Sequence, residues 1–179
     1  MMKEYIILTP EVDPYVFKDD GRFPNNGHLA VLHYKKCLEL PADIADAGDA
    51  VESLFLSNDW KNSWRDSIYD YLHYHSVTHE VMGIYAGFAR VELGGEHQIV
   101  IELNKGDVLI IPAGVAHKKV VSSDNFICLG AYPAGKQFDI NYGKGDERPQ
   151  ADKNIASLPL PLYDPVFGKN GLLFQFWKR

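Results

Sequence analysis

The sequence predicts an all-β domain, an antiparallel sandwich or barrel preceded by an extension that holds a helix. Two observations carry this. Between residues 67 and 133 short runs rich in Val, Ile, Leu, Tyr and Phe recur at close spacing, each closed by Gly, Asn, Ser or Asp. Helical spacing of apolar residues occurs instead near the N-terminus, where Ile44, Ala47, Val51, Leu54 and Phe55 would share one face.

Taken in order, residues 1–66 form a mixed extension. Tyr5–Leu8 and Leu29–Tyr34 read as strands, with Pro24-Asn25-Asn26-Gly27 as a turn between them. Asp43 suits the N-cap of the helix because its side chain can accept from an amide of the first turn. Asn58-Asp59 ends the helix. Trp60 and Trp64 follow and are expected to pack it onto a sheet. The barrel core, about 67–133, should contain strands near 69–76, 80–86, 88–93, 97–103, 107–112, 115–121 and 126–132. Val108–Ile111 is apolar at every position, as a strand covered on both faces requires. Residues 134–179 are loop-like up to Pro165, with Gly143–Pro149 exposed. Leu172–Trp177 reads as a final strand pairing with the main sheet or with a second subunit.

Size and charge bound the function. A chain of 179 residues fits one domain with some decoration, and 46% apolar residues can build a substantial core. The net charge of −6, from 18 basic and 24 acidic residues without a basic block, argues against nucleic acid and against an anionic membrane surface. No apolar run approaches the ~20 residues of a membrane span. Lys3 and Glu4 precede only a short apolar stretch, which does not suit a secretory signal. Cys37 and Cys128 form no CxxC pair and read as reduced thiols of a cytoplasmic protein.

The chemistry is concentrated in two stretches, His73-Tyr74-His75-Ser76-Val77-Thr78-His79-Glu80 and Gly106–His117. On an extended chain His73 and His75 share a face and Tyr74 takes the other. A turn at Ser76-Val77-Thr78 would bring Glu80 in front of both imidazoles, and His117 would join from a later strand. Three imidazoles and a carboxylate suit Fe, Mn, Ni, Zn or Cu, with positions left over for exchangeable ligands. His79 faces away if the chain is extended but would replace Glu80 if the register differed by one residue. A helix would instead pair His75 with His79 at i, i+4, yet the Tyr, Val and Thr neighbours favour strand. Polar core histidines without an ion are the remaining alternative. His28, His33 and His97 read as surface or packing residues.

These two stretches resemble the paired motifs of the cupin superfamily, G-x5-H-x-H-x3,4-E-x6-G and G-x5-P-x-G-x2-H-x3-N. His73, His75, Glu80 and Gly87 match the first; Gly106, Pro112, Gly114 and His117 match the second. Ser67 stands where the first motif opens with Gly, and Val121 where the second ends with Asn. The chain looks most like small bacterial single-domain cupins of unassigned function that carry a His-Tyr-His-Ser-x-x-His-Glu run. The resemblance implies a double-stranded β-helix, or jelly roll, and one divalent ion on His73, His75, Glu80 and His117. It also implies a metal-dependent oxygenase or isomerase, or else a non-catalytic binder of a small ligand. Met82 and Ile84 share parity with Glu80, and Tyr69 and Tyr71 with His73, so these side chains are candidates for the substrate wall. Tyr132, Gln137 and Asp139 lie where a loop could cover the mouth. A homodimer is expected because the extensions supply apolar strands and sheet edges that need covering.

Overall fold

A computed structural model describes residues 5–178. Lys3 and Glu4, on which the reading of the N-terminus partly rests, lie outside the described residues. In chain order the strands are β1 (Ile6–Ile7), β2 (Glu11–Phe17), β3 (Asn26–Lys35), β4 (Leu38–Glu39), β5 (Trp60–Asp66), β6 (Glu80–Ala86), β7 (Phe88–Leu93), β8 (Ile99–Asn104), β9 (Val108–Ile111), β10 (His117–Ser122) and β11 (Ile127–Pro133). Helix α1 (Ile44–Ser57) lies between β4 and β5; α2 (Gln150–Ser157) and α3 (Leu173–Phe176) follow β11.

The strands form a six-stranded sheet, β2-β3-β9-β6-β11-β5, and a three-stranded sheet, β10-β7-β8, with β1 and β4 as a separate short pair. All pairings are antiparallel. Strand alternation sorts the core into two layers. Met82, Ile84, Leu109, Ile111 and Cys128 of the larger sheet meet Ala89, Val91, Leu93, Ile101 and Leu103 of the smaller one. Val81, Tyr85, Val108, Ile110, Leu129 and Ala131 point the other way, onto α1 and α3. The fold is thus a cupin-like jelly roll: two facing sheets, not closed into a barrel, with helices behind the larger one.

Helix α1 begins and ends where the sequence placed it. Asp43 accepts from the Asp46 amide at 3.0 Å, and the Asn58 amide closes the last turn onto Phe55. Its buried face comprises Ala47, Gly48, Ala50, Val51, Leu54 and Phe55.

Four expectations need correction. Residues 69–76 are not a strand: only His73 and Tyr74 make single bridges, to His117 and Asn141. The backbone there is shared between a barrel strand and the loop after β11, so it cannot follow either for long. Leu172–Trp177 is not a strand either. Its amides turn back locally, Phe174 onto Gly171, Gln175 onto Leu172 and Trp177 onto Leu173, giving the short helix α3. The turn before β3 follows β2, a strand absent from the sequence reading, rather than the Tyr5–Leu8 segment. Finally, Trp60 and Trp64 do not act together. Both lie on β5, but the ladder with β11 shifts register between Gly130 and Tyr132, and Asn62 sits at φ 57°. The bulge turns two residues of equal parity onto opposite faces. Trp60 packs among the helices' contacts and donates to the Tyr163 carbonyl at 2.9 Å, while Trp64 enters the space between the sheets.

Candidate metal centre

Glu80 opens β6 on the inner face, and the β6–β9 ladder sets it opposite Ile111, in the strand that leads into the Pro112–His117 turn. The single bridge between His73 and His117 ties the irregular segment to the start of β10; each residue's amide donates to the other's carbonyl, at 3.2 and 2.9 Å. The Gly114 amide donates to the His75 carbonyl at 2.8 Å. The two motifs are therefore stitched together through backbone at the residues that carry the imidazoles. Tyr74 takes the opposite face, edge-on to Phe23 with its hydroxyl donating to Glu147 at 3.0 Å.

His73, His75 and His117 each present a ring nitrogen within 4.8 Å of the others, and all three are buried. Glu80 Oε2 lies 3.3 Å from His75 Nε2 and 3.5 Å from His117 Nε2. The tautomers follow from the outer ring atoms. His73 Nδ1 lies 3.0 Å from the Tyr71 carbonyl oxygen, His117 Nδ1 lies 3.0 Å from that of Val115, and His75 Nδ1 contacts that of Asp139. A carbonyl can only accept, so each Nδ1 carries the proton, and each ring in its neutral form turns an Nε2 lone pair inward. Glu80 Oε2 and His117 Nε2 are buried without a hydrogen-bond partner. Converging lone pairs that lack donors are what a cation would satisfy. The three histidines are thus placed to hold a metal ion, and Glu80 stands against two of them.

The electrostatics treat the rings differently, keeping His73 neutral and pairing His75 with Glu80. Burial, helped by neighbouring His117, lowers the His73 pKa to about 3, so the ring is neutral at ordinary pH. Burial alone would raise Glu80, but the His75 and His117 rings outweigh it and hold the carboxyl well below its usual range. Burial likewise acts to lower His75, and the Glu80 carboxylate overrides it and raises that ring. Glu80 Oε1 accepts from the Tyr132 hydroxyl at 3.0 Å, which in turn accepts from Trp64 Nε1–H at 2.8 Å. Trp64 reaches that position because residue 130 is Gly: a Cβ there would lie 2.1 Å from the indole.

A cavity of about 240 Å³ opens onto His73, His75 and Glu80 and is walled by Trp64, Tyr69, Met82, Tyr132 and Phe138. The Tyr132 and Phe138 rings stack at 5.0 Å. Of the other residues singled out in the sequence, Ile84 is fully buried in the layer between the sheets and does not line this cavity. Tyr71 is on the surface, stacked on Tyr69 at 4.9 Å and on the outer side of the His73 ring. Gln137 is exposed, whereas the Asp139 carboxylate gathers the Ser76 amide, the Ser76 hydroxyl and the Asn141 amide group, fixing the chain around His75.

His79 faces away from the cluster. Its Nδ1 accepts from the Ala113 amide at 3.0 Å and its ring lies 4.8 Å from Trp177. His33 is a packing residue, 2.8 Å from Asp107 in a buried pair, and His28 and His97 are exposed. Cys37 and Cys128 are free and buried, with burial pushing both thiols up from their ordinary range. Trp64 and Phe138 line the cavity, a placement that sequence reasoning missed. The bulge that turns Trp64 inward has no sequence signature, and Phe138 stands alone in a polar loop.

Strand order and core define a jelly-roll domain of cupin-like fold, with three clustered histidines at one end of the space between its sheets. The chain belongs to the family of the uncharacterized protein YjlB of Bacillus subtilis (strain 168), with which it is 42% identical over 172 residues, 96% of this chain and 100% of that protein. No family model matches the sequence. Among solved structures, the coconut allergen cocosin is 21% identical with a TM-score of 0.37, covering 45% of this chain and 23% of that one. The chain therefore spans about a quarter of the length of cocosin. A dTDP-6-deoxy-D-glucose-3,5-epimerase from Legionella pneumophila Philadelphia 1 is 14% identical with a TM-score of 0.38, covering 72% and 74% of the two chains. Among the described residues no helix is long and apolar enough to cross a membrane.

Proposed function

We propose that this protein is a small cupin of the His-Tyr-His-Ser-x-x-His-Glu type that binds one divalent metal ion through His73, His75, Glu80 and His117 and acts on a small molecule in the adjoining cavity, as an oxygenase or isomerase. One observation carries the reading: each of the three imidazoles spends its Nδ1–H on a backbone carbonyl, leaving every Nε2 directed at the same point beside Glu80. A bound ion would supply Lewis-acid polarisation of a substrate oxygen, or a redox site if it is iron. The chain's own residues do the rest. Trp64, Tyr132 and Phe138 wall the cavity, and the Tyr132 hydroxyl holds Glu80 in place through Oε1. Burial and Glu80 raise the Tyr132 pKa far beyond its ordinary value, so it remains a proton donor to the carboxylate.

The test is elemental analysis of protein purified without added metal. One divalent ion per chain is expected, and the double variant His75→Ala, His117→Ala should be empty while keeping its circular dichroism spectrum. A double variant that retains its metal overturns the ligand assignment. We also propose a homodimer, supported by exposed Val16 on β2, an edge strand of the larger sheet, and by exposed Ile6, Ile7 and Leu8 in and after β1. A monodisperse monomer in light scattering overturns that.

A further inference from the structure

The geometry points to a substrate class for this cavity: a compact, flat molecule that chelates through two neighbouring oxygens and carries no anionic group away from them. This rests on the metal reading above. Four protein donors on a six-coordinate ion leave two positions, which suits a bidentate ligand. At about 240 Å³ the cavity is smaller than the roughly 300–1,000 Å³ typical of drug-sized sites. Its walls are Trp64, Tyr69, Tyr132 and Phe138, with Ile68 and Met82. These side chains accept the apolar faces of a ring.

Charge decides the rest. The ionisable side chains lining the cavity, besides the histidines and tyrosines, are Glu80 and Asp66. Among the described residues no Lys or Arg lines it. Lys119 meets the lining at Ser67, where its ammonium donates to the hydroxyl at 2.8 Å. An anionic tail would therefore lie among aromatic faces, whose quadrupole is negative, and near Asp66, with no cationic side chain lining the cavity; the polar lining residues Asn62 and Ser63 already donate to the Lys136 carbonyl and to Glu52. Carboxylated, phosphorylated or nucleotide-bearing molecules are disfavoured by repulsion as well as by size.

The experiment compares catechol with 3,4-dihydroxybenzoate, which presents the same two oxygens and adds one carboxylate. Zinc-loaded protein is titrated with each under anaerobic conditions, and binding is read from tryptophan fluorescence, which Trp64 would report, and from thermal shift. Catechol should bind about ten- to hundredfold more tightly, the range set by one uncompensated charge near another in a partly wet site. Phe138→Lys, which places a cation at an exposed position of the wall, should narrow or reverse that preference. Equal or tighter binding of 3,4-dihydroxybenzoate to the unaltered protein overturns the inference, and so does an unchanged preference in Phe138→Lys. Failure of the protein to retain zinc overturns the metal reading itself. Zinc retained with neither chelator binding overturns only the substrate class.

Discussion

Asp164→Asn should remove several kcal/mol of stability, although the residue is far from any catalytic chemistry and the change is isosteric. Asp164 is fully buried and accepts four hydrogen bonds: Oδ1 from the amides of Val166 and Phe167, Oδ2 from the Leu173 amide and the Tyr34 hydroxyl, all at 2.8–2.9 Å. It thereby fastens the chain around α3 to β3, which lies between β2 and β9 in the larger sheet. An amide nitrogen cannot accept. Turned toward Val166 and Phe167, the asparagine N–H group strands two amides; turned the other way, the Tyr34 hydroxyl can rotate to accept from it and the Leu173 amide alone is stranded. A bond to a charged acceptor contributes about 1.5–3 kcal/mol and one to a neutral acceptor about 0.5–1.5, so one lost bond and three weakened ones amount to roughly 3–6 kcal/mol. For a chain of this size that is a fall of about 6–24 °C in Tm. Urea denaturation followed by tryptophan fluorescence measures it, with the m-value checked for constancy. Tyr34→Phe is the internal control: it removes one of the four bonds and should lower stability by about 1.5–3 kcal/mol. A loss below about 1 kcal/mol in Asp164→Asn, at unchanged m, would refute the claim that this carboxylate anchors the C-terminal segment.

Other substitutions test the remaining layers. Gly83→Ala sets a methyl 2.6 Å from Val51 Cγ1 and 2.9 Å from the Phe55 ring, so α1 must shift; about 1–3 kcal/mol should be lost in chemical denaturation. Asp43→Ala removes the α1 N-cap and should lower stability by about 1 kcal/mol in the same measurement. Tyr132→Phe keeps the stack on Phe138 but strips the donor from Glu80; metal affinity, measured by competition with a chelator, should change by about 10–100-fold. An unchanged affinity would show that the Tyr132 hydroxyl plays no part in holding Glu80.

The site was legible because its donors are dense in the chain: His73, His75 and Glu80 fall within eight residues, and His117 closes a turn marked by Pro112 and Gly114. Strand parity was enough to set Tyr74 and His79 apart from them. The strands of the larger sheet that escaped the sequence reading are β2 and β5, its two edges; the two-residue β4 of the short pair escaped as well. Edge strands are protected by charge, by bulges and by Pro, and these two are protected in that way: Glu11, Asp13 and Pro14 in β2, and Lys61, Arg65 and the Asn62 bulge in β5. A search for hydrophobic runs passes over such segments. The opposite error arose at Leu172–Trp177, where an apolar run was taken for a strand. Its side chains pack against the larger sheet's outer layer, and Asp164 satisfies the Leu173 amide, so no neighbouring strand is needed. Helix α2 went unread because Ala151 is its one buried residue, too little for a periodic signal.

The anchors of the three imidazoles are main-chain oxygens of residues 71, 115 and 139. Every amino acid at those positions offers the same oxygen, so the tautomer that aims each ring is indifferent to most point mutations there. Of the aromatic wall, Tyr132 holds Glu80, but Trp64, Tyr69 and Phe138 donate no hydrogen bond to the imidazoles or to Glu80. Drift can therefore rewrite what the cavity accepts while the donor set stays intact, and relatives that share these histidines need not share a substrate.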